Sequence, residues 1–434
     1  MELPTPAFPR RTVLALTLAG LALRLWFNLI QHPPGNFLFS DMGVYDQRAR
    51  NLLSGHLGPW DTFTPVGYPA FLAFFYALTN RNLVVVAVVH ALMGAGVAWL
   101  AARVSWRLNR SPAAAIGVCF LTAAYLPLLS YGGLLMSELP FCFFTALSVL
   151  LLMRAREAPS RGRLIAAGLS LGFATLIRPQ MLLFYPLLPF YFLAAFRPDR
   201  RKALKLAAAI FAISAPLILA AATFNSVLLR RPAGLGSNGG LNFFFAHSEY
   251  KTAETKRNGR VEYSITPIPN GVHYTKLFSS ETPLYDESFF YRKGFEEIAA
   301  RPLRIVTDLK NVTEGLGLGR TGYWPGWQQY RYLLEAFRKP FFWVIFLPAL
   351  AGLFLAILRG RLPKPDGADL LLLTLMILSC LLTLYLFLGD PRMRVTYDPL
   401  LFAMAADFFA VFLNRLGHRQ GELGGAGPAS QVGG

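Results

Sequence analysis

Ten apolar runs, each close to the length of a membrane span, follow one another along the chain, and charged residues, prolines or glycines separate them. A helix that crosses the hydrocarbon layer, roughly 30 Å thick, needs about 20 mostly apolar residues. The pattern therefore predicts an all-α polytopic membrane protein with about ten transmembrane helices. The predicted spans are 11–30, 82–102, 113–129, 136–153, 163–177, 180–196, 203–224, 340–358, 369–388 and 396–414.

Two of these runs leave the topology open. The fifth and sixth are short and only the pair Arg178-Pro179 separates them, so two tilted spans and one buried hairpin both fit the pattern. The first run is long, and no cleavage pattern of small residues follows it. We therefore expect residues 1–30 to hold an uncleaved first span, not a signal peptide.

The polar segments between the runs divide the chain into four parts. Two of these segments are long enough to hold structure outside the membrane, and the end of the chain is rich in glycine. The predicted parts are a membrane domain at 1–224 with spans 1–7 and a first outer loop at 31–67, an extracytoplasmic loop domain at 225–339, a membrane domain at 340–418 with spans 8–10, and a disordered tail at 419–434.

The short segments carry a charge asymmetry that predicts the orientation. With the N-terminus inside, the cytoplasmic segments hold 19 Lys and Arg residues, and the opposite short segments and span ends hold seven. Cytoplasmic loops collect Lys and Arg. We therefore expect both termini inside and the two long polar segments outside, in the inner (plasma) membrane of the cell.

Composition agrees with a membrane protein and removes other classes. The chain has 434 residues, is 54% hydrophobic and 15% charged, and has a mean hydropathy of +0.42. A net charge of +18 would suggest a nucleic-acid partner in a soluble protein, but here most of the excess is the topology signal, so we expect no nucleic-acid partner. The three cysteines lie inside apolar runs, which excludes a disulfide scaffold and a cysteine-based zinc site.

The first outer loop contains a predicted amphipathic helix over 40–55, which ends at Gly55 and would lie on the outer membrane surface. Asp41 stands at its beginning. A carboxylate there ordinarily caps free N–H groups of the helix. The functional alternative is an acid/base or metal-binding carboxylate at the membrane surface, and Asp46, about one turn further on, competes for that role.

Four more charged residues lie at predicted outer ends of spans: Glu138, Arg178, Arg392 and Arg394. Each has an ordinary explanation, because a carboxylate can cap a helix and an arginine can anchor or snorkel at the interface. Each also has a functional one. Guanidinium groups bind phosphate oxygens in a planar fork and keep their charge, and an ionisable group at membrane depth often marks a site.

Five polar motifs follow one another in a defined order on this topology. Together they resemble the GT-C class of membrane glycosyltransferases, in particular the protein O-mannosyltransferase-like family 39 with its lipid-A aminoarabinose and rhizobial galacturonosyl transferases. The sequence lacks a Lys close to Asp41, so the aminoarabinose substrate does not follow. The motifs are Asp41, Tyr45, Ala49, Leu53 and Gly55 with Pro65, Tyr68 and Pro69; Ser137-Glu138; Gly168 to Pro179 with Arg178; Gly236 to Phe244 with Asn238 and Asn242; and Arg392 to Pro399 with Arg394.

The resemblance implies a GT-C-type helix bundle that transfers a sugar from a polyprenyl-phosphate donor to a hydroxyl acceptor on the outer face of the membrane. Asp41 would be the general base, and a divalent cation, Mg²⁺ or Mn²⁺, near Asp41 and Glu138 would share in charge stabilisation. The acceptor would be a lipid, a polysaccharide or a protein. Substrate-binding residues implied in this way are Glu138, Arg178, Arg392, Arg394, Tyr45, Asp46, Asn238 and Asn242.

Two other functions compete with a glycosyltransferase. A lipid or sugar transporter or flippase would place ionisable residues near the middle of its spans and often shows repeated halves. In this chain the polar groups gather in the outer loops. That distribution favours an enzyme acting at the membrane surface. A non-catalytic protein of cell-envelope assembly is the remaining alternative.

Overall fold

The protein is predominantly helical in a computed structural model that describes residues 6–250, 252–255, 261–264, 278–318, 336, 338, 340–362, 367–387 and 389–424. Short 3-10 or π turns link several of the helices, at 27–31, 34–36, 59–62, 179–184 and 342–346. The α-helices are α1 (Arg10–Trp26), α2 (Ser40–Ser54), α3 (Gly67–Thr79), α4 (Leu83–Asn109), α5 (Pro112–Ala124), α6 (Leu126–Gly132), α7 (Glu138–Glu157), α8 (Arg161–Ile177), α9 (Leu188–Ala195), α10 (Arg200–Leu229), α11 (Gly239–His247), α12 (Glu287–Ala300), α13 (Arg304–Thr307), α14 (Lys310–Gly315), α15 (Leu347–Leu358), α16 (Ala368–Leu386), α17 (Pro391–Val395) and α18 (Asp398–Gly424).

Among the described residues, five helical stretches are long and apolar enough to cross a membrane: α1 with the turns that follow it, α4, α7, α10 and α16. The pair α5 and α6 would form a sixth span, bent by 48°. The remaining predicted runs also contain helix, in α8, α9, α15 and α18. The count of ten spans therefore stays a prediction.

The sixth predicted span, 180–196, is not one continuous helix. A 3-10 turn covers Pro179–Phe184, and α9 holds only eight residues, too few to cross a bilayer. Pro186 and Pro189 stand between these two pieces or at the start of the second, and a proline has no backbone N–H to continue a helix. The segment instead packs inward, with Tyr191 and Phe192 buried in the core.

The bundle brings the segments predicted to be cytoplasmic together at one end. Arg107 at the end of α4 pairs with Glu157 at the end of α7, and Arg156 pairs with Asp369 at the start of α16 at 3.1 Å. The segments predicted to be extracytoplasmic meet at the opposite end, here called the outer end. The structure thus separates the two groups as the charge pattern requires, and which end faces the cytoplasm stays a prediction.

The long segment 225–339 has structure of its own where it is described. Strands β1 (Thr252–Thr255), β2 (Val261–Ser264) and β3 (Phe278–Ser280) form an antiparallel sheet in the order β1-β2-β3. These short strands correct the expectation of a purely helical chain, although the described residues of the two membrane domains contain helices and loops and no strand. Helices α11 and α12 pack beside each other around a small apolar core of Leu241, Phe244, Phe245 and Phe290.

The end of the chain differs from the prediction in one respect. Helix α18 continues to Gly424, past the predicted boundary of the disordered tail at 419. Residues 425–434 lie outside the described part of the chain.

Helices α3 and α8 touch through their backbones at Gly67, and this contact positions the outer end of α8. A Cβ atom added at Gly67 would lie 2.3 Å from the carbonyl carbon of Leu176 and 2.5 Å from the backbone nitrogen of Ile177. Backbone atoms cannot move aside as a flexible side chain would. We therefore expect Gly67→Ala to separate the helices and to destabilise the protein by about 1–3 kcal/mol.

The measurement is the thermal midpoint of unfolding in detergent, with Gly162→Ala as the matched control. Gly162 lies in the first turn of α8, as Gly67 does in α3, but a Cβ atom there meets nothing within 4 Å. The control should melt at the wild-type temperature. Equal melting of both variants would contradict the contact.

Candidate active site at the outer end of the bundle

A cavity of about 330 Å³ opens at the outer end, between the membrane helices and the segment 234–242 with α12. Segment 234–242 is fastened to the first outer loop, because the Ser237 backbone N–H donates to the Thr62 carbonyl at 2.8 Å. Of the sequence-predicted site residues, six line the cavity: Asp41, Tyr45, Arg178, Asn238, Asn242 and Arg392.

Asp41 faces the cavity and does not cap its helix. The N-cap residue of α2 is Phe39, and within the described part of the chain no side chain makes a capping hydrogen bond there. Arg392 instead donates from Nη1 to Asp41 Oδ2 at 2.9 Å. The Asp41 side chain is 38% exposed, while that of Arg392 is 14% exposed. The carboxylate is therefore accessible to a ligand, and its partner is a largely buried cation.

Glu138 lies directly behind this pair and is fully buried. Its Oε1 atom accepts from Arg178 Nη1 at 2.8 Å and lies 3.3 Å from Arg392 Nε. Its Oε2 atom is buried and has no hydrogen-bond partner among the described residues. Ser137 precedes α7, but its side chain makes no capping bond. Glu138 thus holds two guanidinium groups next to each other, which is not the role of a helix cap.

Arg178 reaches the site because α8 stops one residue before it. Pro179 follows, and the residue before a proline is driven out of the helical conformation; Arg178 has φ −142° and ψ 112°. Its guanidinium also donates to Ser137 Oγ at 3.1 Å and to Gln180 Oε1 at 3.3 Å. Arg178 is buried and held in place by these contacts, so it does not snorkel to solvent.

Local charges fix the protonation of groups around Arg392. Burial alone would lower the pKa of Arg392, but the charges of Glu138, Asp41 and Asp390 outweigh it and raise that pKa well above its usual value. Burial raises the pKa of Asp390, and Arg392 partly offsets the effect. Burial, together with the charges of Asp41 and Glu138, raises the pKa of Tyr45 to about 12. Arg392 therefore stays cationic and Tyr45 stays a neutral hydroxyl.

The side chains present do not favour the predicted divalent cation. Mg²⁺ and Mn²⁺ prefer several oxygen ligands around one point. Here the guanidinium of Arg392 lies between the carboxylates of Asp41 and Glu138, where the metal would have to bind. Within the described residues, no three His, Cys, Asp or Glu side chains form a group suited to a metal.

Asp46 is directed away from the cavity. Arg81 donates to both of its carboxylate oxygens, at 2.9 and 3.0 Å, Tyr76 donates at 2.8 Å, and Arg50 donates at 3.2 Å. Burial by itself would raise the pKa of Asp46, but the hydrogen bonds from Arg81 and Tyr76 outweigh it and lower that pKa. This carboxylate ties α2 to α3 and to the start of α4.

Arg394 is also not brought to the cavity. Its side chain is 1% exposed and donates to Asp398 Oδ1 at 2.9 Å and to the Leu316 carbonyl at 3.0 Å. Its guanidinium carbon lies 3.7 Å from the ring centroid of Phe341. Tyr125 donates to the other Asp398 oxygen at 2.6 Å. Arg394 therefore joins the long segment to the bundle core, and a role in phosphate binding has no geometric support.

Four residues near the site were not singled out from the sequence: Gln180, Glu287, Tyr291 and Asp390. Gln180 and Asp390 each lie two residues from a predicted arginine, and this proximity was a usable signal. Gln180 also donates to the Tyr397 hydroxyl at 3.3 Å. Glu287 and Tyr291 line the cavity from α12. They are far from the other site residues in the chain, and no local pattern marks them.

The apolar helices long enough to span a membrane define a multi-pass membrane protein. A cavity lined by carboxylates and arginines forms a charged site at one end of its bundle. Residues 64–223 match the model of a family described as dolichyl-phosphate-mannose-protein mannosyltransferase, which confirms the family resemblance over that segment. The match supports a membrane glycosyltransferase of the GT-C type. It runs from α3 through most of α10 and includes Glu138 and Arg178. No curated protein matches the chain.

Proposed function

We propose that the protein transfers a sugar from a polyprenyl-phosphate donor to an acceptor hydroxyl on the outer face of the inner membrane, with both termini in the cytoplasm. One observation carries the proposal: the Asp41 carboxylate and the Arg178 and Arg392 guanidinium groups line the same cavity. A base beside two phosphate-binding cations is the set that displacement of a lipid phosphate from a sugar requires. The family match independently implies a lipid-linked sugar donor and a protein or glycan acceptor.

In the proposed reaction, the acceptor oxygen attacks the anomeric carbon while its proton passes to Asp41. The bond between the anomeric carbon and the phosphate oxygen breaks, and the electron pair leaves with the polyprenyl phosphate. Arg178 and Arg392 stabilise the charge that grows on the phosphate, which is the task of preorganised cations. A single displacement inverts the anomeric configuration.

The ion pair between Asp41 and Arg392 gives this scheme an order of events. Without substrate, Arg392 donates to Asp41 Oδ2, so the guanidinium occupies this oxygen of the carboxylate. A donor phosphate competes for the same guanidinium and releases Asp41 towards the acceptor. Glu138 stays behind, buried, and keeps Arg178 and Arg392 in place.

The apolar side of the cavity suits the lipid part of the donor. Ile177, Leu182, Leu183 and Phe387 line it next to the arginines, and the Leu182 side chain is partly exposed. An isoprenoid chain that enters between these side chains would bring its phosphate to Arg178 and Arg392. The phosphate thus lies at the boundary between apolar and charged walls, as the headgroup of a lipid requires.

The test is direct transfer by the purified chain reconstituted in sealed lipid vesicles, in which movement across the bilayer can be followed as well. Polyprenyl phosphates carrying different radiolabelled sugars are offered with lipid, polysaccharide and protein acceptors, and the labelled product is separated from the donor. We expect label on one class of acceptor and release of polyprenyl phosphate in equal amount. Movement of intact donor across the bilayer without any transfer would overturn the enzyme and favour the flippase.

A further inference from the structure

The outer wall of the active-site cavity carries a polar pair that the reaction above does not use. Glu287 and Tyr291 lie one turn apart on α12 and both line the cavity, as do Asn238 and Asn242 from the facing segment. Residues four apart lie on the same face of a helix, and these two share a hydrogen bond. The long segment thus contributes a carboxylate, a phenol and two amides to a site whose other walls are arginines and apolar side chains.

Two adjacent glycines in the sequence permit this arrangement. A Cβ atom at Gly239 would lie 2.8 Å from Glu287 Oε1 and 3.0 Å from the Tyr291 hydroxyl, and one at Gly240 would lie 2.3 Å from the Glu287 carbonyl oxygen. The two glycines at the start of α11 therefore allow α12 to approach closely. Only with such an approach do the carboxylate and the hydroxyl reach the wall of the cavity.

Helix capping does not account for Glu287. Asp286 already caps α12, since its side chain accepts from the Phe289 backbone N–H at 3.5 Å. The contacts of Glu287 do not fully offset its burial. Burial raises the pKa of Glu287, and the hydrogen bond from Tyr291 and the charge of Arg231 lower it only in part. A half-buried carboxylate of this kind gains from additional hydrogen-bond donors. Hydroxyl groups of a ligand would supply them.

The position of Glu287 and Tyr291 determines which part of a bound ligand they contact. In the proposed donor the sugar is joined directly to the phosphate, so groups that share a small cavity with Arg178 and Arg392 face the sugar. A volume of about 330 Å³ is at the lower end for ligand pockets, which suits one sugar ring with its phosphate and not an oligosaccharide.

We infer that Glu287 and Tyr291, with Asn238 and Asn242, form the subsite that binds the hydroxyl groups of a neutral sugar on the donor. The carboxylate accepts from two neighbouring hydroxyls, and the amides supply both donors and acceptors. This inference rests on the proposed function and adds the residues that recognise the sugar. The inference also assigns a function to the long segment: the membrane helices bind the phosphate, and α11 and α12 bind the sugar.

The test measures binding, so that it does not depend on turnover. Dissociation constants of the full chain in nanodiscs are measured for polyprenyl phosphate alone and for the same lipid carrying mannose, glucose, galactose or arabinose. We expect at least one sugar to tighten wild-type binding by about tenfold or more. Glu287→Gln and Tyr291→Phe should each lose most of that gain, while their affinity for the bare lipid phosphate changes by less than about twofold.

Glu296→Gln is the matched control, because Glu296 lies on the same helix with its side chain 52% exposed and paired with Lys293. It should keep the full sugar-dependent gain. The inference is overturned if no sugar tightens wild-type binding, or if Glu287→Gln and Tyr291→Phe both keep the gain. Sugar-dependent binding through Glu287 without transfer to any acceptor would overturn the proposed function alone. Transfer by the wild type with an unchanged gain in both variants would overturn this inference alone.

Discussion

Asp41→Asn is expected to lower the turnover of sugar transfer by about 10²–10⁴-fold, the usual contribution of a positioned general base. Asparagine keeps the shape of the side chain, but its amide cannot take up the proton of the acceptor hydroxyl. Because Asp41 is partly exposed and caps no helix, the thermal midpoint should change little. Donor binding should be unchanged or slightly tighter, since Arg392 loses a competitor for the phosphate. The measurement is single-turnover transfer alongside donor affinity.

Asp46→Asn provides the comparison on the same helix. Its carboxylate lies outside the cavity and accepts from Arg81, Tyr76 and Arg50, so its loss should lower the thermal midpoint and leave turnover per folded molecule near the wild-type value. The opposite pattern, with activity lost in Asp46→Asn and kept in Asp41→Asn, would show that the base has been assigned to the wrong carboxylate.

The apolar pattern predicted the helices well because membrane spans are long and their signal is local. The helix at 40–55 and its end at Gly55 were also predictable, and Gly55 adopts φ +73° as a helix-ending glycine does. For the fifth and sixth runs the pattern left two tilted spans and one buried hairpin open, and there proline determines the local structure. The run 180–196 is apolar enough for a span, but its prolines divide it into a turn and an eight-residue helix.

The candidate site was only partly predictable, because sequence spacing does not say which way a side chain points until the helix is placed. Arg392 and Arg394 are two residues apart, and residues two apart on a helix do not share a face. One therefore meets Asp41 and the other meets Asp398. Asp41 and Asp46 separate in the same way around α2.

Long-range pairings could not be read from the sequence at all. The predicted topology places Glu138 and Arg178 at the outer ends of adjacent spans and therefore at the same level. It does not predict that they form an ion pair at 2.8 Å. Glu287 reaches the cavity only because Gly240 lets α12 approach α11. That contact depends on the folded long segment, for which the sequence offered no template.

Arg392→Lys tests the assignment of the phosphate-binding cation, and we expect it to lower turnover by about 10²-fold or more. Lysine keeps the positive charge beside Glu138 but lacks the planar fork that can face a carboxylate and a phosphate together. The affinity for the donor should also fall. Because the variant has no guanidinium beside Asp41, a bound phosphate no longer has to displace one to release this carboxylate. The measurement is transfer rate and affinity for bare polyprenyl phosphate.

Arg394→Ala is the contrasting variant, because its guanidinium is buried in an ion pair with Asp398. Removing one partner of a buried pair should destabilise the protein by about 3–5 kcal/mol. The folded fraction should nevertheless bind polyprenyl phosphate with wild-type affinity, whereas Arg392→Lys should remain folded and bind it poorly. Arginines two residues apart would thus separate stability from substrate binding. If both variants lost stability and neither changed the affinity of the folded protein, Arg392 would be a structural residue and the cavity would not be a phosphate site.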